Sequence, residues 1–292
     1  MKSTGNYNIK NSPMVQEENR GSKQGILFFL LLIFLLVIGI SSCKYDKAED
    51  TVKESSFTII FSHLVNGNAL LTDTLIYSEP PGNSYMVSDL QYFISDLVFY
   101  RRGGTATFIT DDDSIHYTDI RVPSTLSWKL NTPIPSGIYD SVSFVFGLNE
   151  MKNRSNRFPD PPERDMFWPD ILGGGYHYMK MNLKWKNDTK AVSQPFSFHL
   201  GIGQTYSSTF PNPDSITAYI QNSFTVTLPL QALELKSNAV QAIEIQMNIE
   251  KWFYGEQLFD FATYPDGTMQ YESAIHSACL NGKEAFGIKL LK

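Results

Sequence analysis

Hydrophobic side chains alternate with polar ones along much of the chain after residue 56. Phe57, Ile59 and Phe61 share one parity in "FTIIFSH", and "DSVSFVFGL", "NSFTVTLPL" and "QAIEIQMNIEKW" repeat this period of two. Such a period is typical of strands with one buried face. Clusters of Gly, Pro, Asn and Asp separate these segments, and no long segment has the period of an amphipathic helix. The pattern therefore predicts an all-β fold, an antiparallel β sandwich with Greek-key-like connections.

Helical segments are expected to be few and short. The two candidates are "LQALELKS" and "SAIHSACLNGKEAFG". The least regular segment is "NEMKNRSNRFPDPP", residues 149–162, which is polar and rich in proline. Long loops of this kind in compact domains often carry function.

The N-terminal segment has the organisation of an export signal. Four basic and two acidic side chains precede an uncharged run of 15 residues, 26–40. This run is shorter than the roughly 20 residues of a spanning helix. It ends in Ile40-Ser41-Ser42-Cys43, which resembles a bacterial lipobox and implies cleavage after Ser42 and a lipid on Cys43. An uncleaved membrane anchor is the alternative.

These features predict the organisation and location of the chain. A lipoprotein signal peptide, residues 1–42, is followed by a flexible tether, residues 43–56, and by one β-sandwich domain, residues 57–292. The protein is then lipid-anchored in the bacterial cell envelope, on the periplasmic or surface face of the outer membrane. With Cys43 lipidated, Cys279 has no disulfide partner and is expected to be a small buried hydrophobic residue.

Charge and motifs argue against two classes of function. Removal of the signal peptide changes the net charge from −6 to −8, which argues against a nucleic-acid partner. The chain contains no G-x-S-x-G, Walker, H-E-x-x-H or C-x-x-C motif. We therefore expect a binding protein rather than an enzyme.

The segment "DMFWPDILGGGYHYMKMNLKW", residues 165–185, concentrates aromatic, methionine and glycine residues. If "YHYMKMNLKW" is a continuous strand, His177, Met179 and Met181 lie on one face. An imidazole and two thioethers in a row suit Cu(I). The alternative, which spacing alone favours, is that the methionines fill the core and His177 lies at its rim. The glycines at 173–175 fit a bulge or a sharp turn.

The five histidines contain no pair with the local spacing of a metal site. His63 shares the parity of Phe61 and is expected to point inward, whereas His199 has the opposite parity to Phe198. A metal site therefore has to combine residues from separate strands. A site made of ordinary imidazoles should lose affinity as the pH falls through about 6.5, because the ligands must be deprotonated.

Several sequence blocks, taken in order, resemble the MbnP-like copper-binding proteins, many of which are lipoproteins of Bacteroidota. The blocks are "FTIIFSHLVNGNALL", "VSDLQYFISDLVFY", "IPSGIYDSVSFVFGLN", "MFWPDILGGGYHYMKMNL", "FSFHLG" and "AIHSACLNGKEAF". The resemblance spans roughly residues 57–291. It implies an exported β sandwich that binds copper through histidine. In some members a tryptophan is oxidised to kynurenine by a partner di-haem protein of the cytochrome c peroxidase type.

The resemblance also implies particular ligands in this chain. Matching blocks contain His63, His199, His276 and Trp168, and a weaker match contains His116. His177 departs from the family pattern, as do the Gly201-Ile202-Gly203 sequence and the three glycines before Tyr176. The resemblance therefore adds no support to a site formed by His177, Met179 and Met181.

A copper-binding lipoprotein is the first hypothesis for function. The alternative is an envelope-anchored binding or structural sandwich without a metal, whose aromatic-rich loops recognise a glycan, a peptide or an outer-membrane partner. Metal analysis of variants with changed histidines separates the two.

Overall fold

The computed structural model describes residues 54–187, 189, 192–208, 212–236, 240–265 and 267–291. They belong to one compact unit, Val52–Lys292. The predicted signal peptide, Cys43 and the tether up to residue 53 lie outside the described residues. The first strand begins at Glu54, three residues before the predicted start of the domain.

Fifteen strands, one α-helix and seven short 3-10 helices make up the regular structure of the described residues. The strands are β1 (Glu54–Val65), β2 (Asn68–Ala69), β3 (Tyr77–Ser78), β4 (Ser84–Arg101), β5 (Ala106–Phe108), β6 (Ile115–Asp119), β7 (Ser127–Pro135), β8 (Gly137–Phe146), β9 (Met179–Lys186), β10 (Gln194–Leu200), β11 (Gly203–Tyr206), β12 (Ile216–Ile220), β13 (Phe224–Leu235), β14 (Val240–Asn248) and β15 (Phe286–Leu290). The α-helix, α1, is Glu272–Gly282. The 3-10 helices are Asp111–Ser114, Pro123–Leu126, Glu163–Met166, Asp170–Leu172, Pro213–Ser215, Ile249–Trp252 and Phe261–Thr263.

Two large sheets contain most of the strands. The smaller has the order β15-β14-β1-β2, with β7 also paired to β1, and the larger has the order β10-β9-β4-β8-β13. Strands β3, β5 and β6 pair with β4, and β11 and β12 form a separate hairpin sheet. The predicted all-β sandwich is confirmed. The pairing is not antiparallel throughout, however, because β1 and β14 are parallel.

Alternating apolar residues form the core between the sheets. Phe57 and Ile59 of β1 are fully buried. The ring of Phe57 packs edge-on against Phe99 of β4, with centroids 5.1 Å apart, and Phe144 of β8 packs in the same way against Phe286 of β15 at 5.2 Å. Both contacts join the smaller sheet to the larger one. They are the face-to-face packing that a sandwich requires.

One of the two helical predictions is confirmed and the other is wrong. The segment "SAIHSACLNGKEAFG" contains most of α1. "LQALELKS" lies mostly in strand β13, where Leu233 pairs with Tyr139 and Leu235 with Gly137. Gln231 and Ala232 adopt positive φ at a bulge in this strand. Pairing with β8 therefore overrides the helix propensity of these residues.

Cys279, on α1, is buried as predicted. Its thiol lies 3.3 Å from the carbonyl oxygen of Asn222, and burial raises its pKa. Within the described part of the chain, no helix combines the length and the apolar character needed to cross a membrane.

Candidate metal centre

The loop that precedes β9 holds Trp168 inside the protein. Trp168 is fully buried, and its indole Nε1 donates a hydrogen bond to the carbonyl of Leu172 at 2.6 Å. Its backbone N–H donates to the carbonyl of Gly175 at 2.9 Å. All three residues of the Gly173–Gly175 run have positive φ, which glycine adopts without strain. The glycines therefore turn the chain back and close the loop on the tryptophan.

Trp168 packs on the chain directly after β10. A Cβ atom added to Gly201 would lie 2.7 Å from the indole ring, so the close approach requires glycine. The ring of His177 lies edge-on to the indole, with centroids 4.7 Å apart. His199, two residues before Gly201, lies edge-on to His177 at 5.1 Å. An indole and two imidazoles thus form one row of contacts.

Strand alternation and an irregular segment bring the two imidazoles together. His199 pairs with Lys180 across β10 and β9, and its parity directs it away from the face of Phe198, as predicted. It is nevertheless only 9 % exposed. His177 precedes the first residue of β9, Met179, and its backbone N–H donates to the carbonyl of Met166 at 2.7 Å.

The hydrogen bonds of the two rings define their tautomers. Nδ1 of His177 lies 3.0 Å from the carbonyl oxygen of Met166, and Nε2 of His199 lies 2.9 Å from Oδ1 of Asn182. Because these oxygens only accept, both nitrogens carry the proton. Nε2 of His177 and Nδ1 of His199 are then unprotonated. Both are buried and have no hydrogen-bond partner among the described residues.

Both imidazoles are neutral at physiological pH. Burial lowers the pKa of His177 to about 4, with a smaller contribution from Lys180. Burial also lowers the pKa of His199 to about 3, and the neighbouring His177 and Lys180 lower it further. A metal site built from these two rings is therefore expected to lose affinity at a lower pH than the value of about 6.5 for ordinary imidazoles, because both rings are removed from water.

This arrangement fits a metal ion bound by two nitrogen ligands. Metal-ligating histidines typically donate the other ring N–H to a carbonyl or carboxylate oxygen, which fixes the tautomer. Met166 supplies such an oxygen to His177, and the side-chain amide oxygen of Asn182 does the same for His199. A buried polar nitrogen without a partner is uncommon in native proteins, and here two of them belong to rings in contact.

The prediction that His177, Met179 and Met181 lie in a row on one face of a strand is wrong. Met179 and Met181 are fully buried in the core. His199, which pairs with Lys180 and bonds to Asn182, lies on the other face of the sheet, and His177 contacts His199 there. The reason is that the strand begins at Met179, so that alternation does not extend back to His177.

The expected convergence of His63, His199 and His276 is also not observed. The part of the chain that the structure describes has no group of three or more His, Cys, Asp or Glu side chains arranged for a metal. His63 is buried as predicted, but its Nε2 lies 3.1 Å from the hydroxyl of Tyr92, and burial lowers its pKa to about 4. His276 is exposed on α1.

His116 has a structural environment of its own. Its ring is stacked between Phe61 at 4.9 Å and Trp128 at 5.0 Å. Its Nε2 donates to the carbonyl of Thr125 at 2.8 Å, and burial lowers its pKa to about 4. Of the histidines proposed from sequence, the structure thus brings together His199 and His177, and of the tryptophans it places Trp168 beside them.

Comparison with known proteins identifies the family. The family model described as MbnP matches residues 54–270. Among solved structures, MbnP from Methylosinus trichosporium superposes with a TM-score of 0.51 at 14 % sequence identity, over 82 % of this chain and 100 % of that one. At this identity the structural likeness shows a shared fold. A search of the curated proteins found no match. Because the family model covers well over half of the sequence, the chain belongs to the MbnP family.

Proposed function

We propose that this chain is an exported, lipid-anchored copper-binding protein in which His177 and His199 hold the ion beside Trp168. The observation that carries the proposal is the pair of buried, unprotonated ring nitrogens without a hydrogen-bond partner among the described residues. Membership of the MbnP family supports copper as the metal. Imidazole nitrogen is a suitable copper ligand in proteins.

We further propose that the protein binds copper without catalysing a reaction. The anchor would be a lipid on Cys43, which places the protein in the bacterial cell envelope, and nucleic acid would not be a partner. Trp168 is the residue proposed for oxidation to kynurenine, with a di-haem protein of the cytochrome c peroxidase type as the partner. The support for this choice is the 4.7 Å contact between Trp168 and His177.

Metal analysis of variants tests the copper proposal. The protein is loaded with Cu(I) at neutral pH under reducing, anaerobic conditions, and bound copper is measured after dialysis. His177→Ala and His199→Ala should each lose the bound ion. His63→Ala is the matched control, because His63 is also buried but bonds to Tyr92. Retention of copper by both site variants, or equal loss in the control, would overturn the proposal.

The tryptophan and lipid proposals are tested by the intact mass of the protein purified from its native host. Kynurenine differs from tryptophan by the loss of a carbon and the gain of an oxygen, and fragmentation assigns the change to a residue. An unmodified Trp168 in copper-loaded native protein would remove the kynurenine proposal. An N-terminus other than an acylated Cys43 would remove the anchor.

A further inference from the structure

Lys180 places a positive charge next to the two imidazoles. It pairs directly with His199 across β9 and β10. Its ammonium lies 3.4 Å from the carbonyl oxygen of Asp165, and the next carbonyl along the chain, that of Met166, accepts from Nδ1 of His177. The lysine ammonium and the ring of His177 thus contact neighbouring carbonyls of the same short 3-10 helix, Glu163–Met166.

No carboxylate of the described residues forms an ion pair with this ammonium. The carboxylate of Asp165 faces Arg164 at 3.4 Å and is 64 % exposed. Asp89, another acidic residue near Lys180, lies 3.4 Å from Nε of Arg121. The lysine charge is therefore not neutralised by an ion pair with either of these carboxylates.

We propose that Lys180 sets the charge selectivity of the His177–His199 pair, so that the site accepts a monovalent soft cation, Cu(I) or Ag(I), in preference to Zn(II) or Cu(II). This inference rests on the proposed function. The two ligands are neutral, and the residue paired with His199 across the two strands carries a positive charge. Because Coulomb energy is proportional to the charge of the ion, a divalent ion at the same position meets twice the repulsion of a monovalent one.

The number of ligands favours the same ion. Zinc sites in proteins have three or four protein ligands, whereas this pair offers two nitrogens. The desolvation cost of a buried charge also rises steeply with its magnitude. These two effects would persist without Lys180. The contribution of the lysine is therefore measured by how its removal changes the ratio of divalent to monovalent affinity.

The test compares Ag(I) and Zn(II) in the full chain, solubilised in detergent, with Cys43→Ser as the common background. Affinities are measured by equilibrium dialysis with metal analysis for Lys180→Gln and for Lys180→Arg, which keeps the charge. Lys180→Gln should strengthen Ag(I) binding by roughly tenfold and Zn(II) binding by roughly the square of that factor, about a hundredfold. Lys180→Arg should leave the ratio of the two affinities within about twofold. Lys180→Leu is a second neutral variant if the glutamine variant does not fold.

The outcomes separate the two proposals. An equal change of Ag(I) and Zn(II) affinity in Lys180→Gln, or the same change of ratio in Lys180→Arg, would overturn the role of Lys180. A background protein that already binds Zn(II) as tightly as Ag(I) would overturn it as well. The double variant His177→Ala with His199→Ala tests the site itself. If it binds Ag(I) as tightly as the background, the proposed function fails whatever the lysine variants show.

Discussion

Metal affinity at acidic pH is the property most sensitive to the burial of His177 and His199. We consider a change from pH 8.0 to pH 5.5. For two imidazoles with an ordinary pKa near 6.5, protons compete roughly tenfold per ring at the lower pH, and the affinity falls about a hundredfold. With a pKa of about 4 for His177 and about 3 for His199, the rings stay neutral. The affinity should then fall by less than about 1.1-fold.

The assay is equilibrium dialysis against Ag(I) in chloride-free buffer at the two pH values. Ag(I) is used because it does not change oxidation state during the measurement. The double variant His177→Ala with His199→Ala measures background binding by other side chains at each pH. A fall in affinity of tenfold or more in folded wild-type protein would refute the reasoning, because it would mean that the rings titrate as if exposed to water.

Folding has to be followed in the same samples, because the lowered pKa values also affect stability. The unfolded chain binds protons at these rings below about pH 6.5, whereas the folded chain does not. The free energy of unfolding therefore decreases as the pH falls through that value, by about 1.4 kcal/mol for each such ring at pH 5.5. Near-ultraviolet circular dichroism at pH 5.5 shows whether the native packing persists.

Three further substitutions test the packing around the site and one buried acid. Gly201→Ala should push Trp168 aside, since the added Cβ would lie 2.7 Å from the indole. The substitution should lower the free energy of unfolding, measured in urea, by about 1–3 kcal/mol and should weaken Ag(I) binding. Unchanged stability and binding would contradict this packing. Met181→Ala should lower the free energy of unfolding by about 2–5 kcal/mol but leave the Ag(I) stoichiometry unchanged, because Met181 is fully buried on the opposite face. Loss of the bound ion would instead mean that Met181 is a ligand. Burial raises the pKa of Glu79 from 4.5 to about 7, so between these two pH values the folded state holds a proton that the unfolded state releases, and stability falls as the pH rises across that range. Glu79→Gln should remove this loss, so that between pH 5 and pH 8 the free energy of unfolding of the variant rises by about 2–3 kcal/mol relative to that of wild type. Parallel pH profiles of the two proteins would contradict the raised pKa of Glu79.

The fold was predictable because its signal repeats along the chain. Phe57, Ile59 and Phe61 lie on one buried face, as their spacing indicates. Spacing does not reveal which strands become neighbours, so the parallel pairing of β1 with β14 had no local signal. For the same reason "LQALELKS", which has good helix formers, was predicted as a helix although its partner is strand β8.

The candidate metal centre was predictable only in part, because it depends on a break in that regularity. The parity of His199 was correct, and the match to family blocks selected Trp168. His177 was placed on the wrong face because alternation was extended through Tyr176, where the chain is held by hydrogen bonds to the loop that carries Met166. The glycines at 173–175 were the available signal, since a run that adopts positive φ interrupts a strand.

Burial connects the proposed chemistry of the site to its stability. Each ring nitrogen that is buried without a partner costs about 1–3 kcal/mol, because water is lost and no hydrogen bond replaces it. Natural cores rarely keep two such atoms in adjacent rings unless they have a use. The same burial keeps His177 and His199 unprotonated and so preserves the lone pairs that would bind the proposed metal. Because an ion bound only by the folded state stabilises that state, binding of the proposed ion would offset part of the cost of leaving these two nitrogens without a partner.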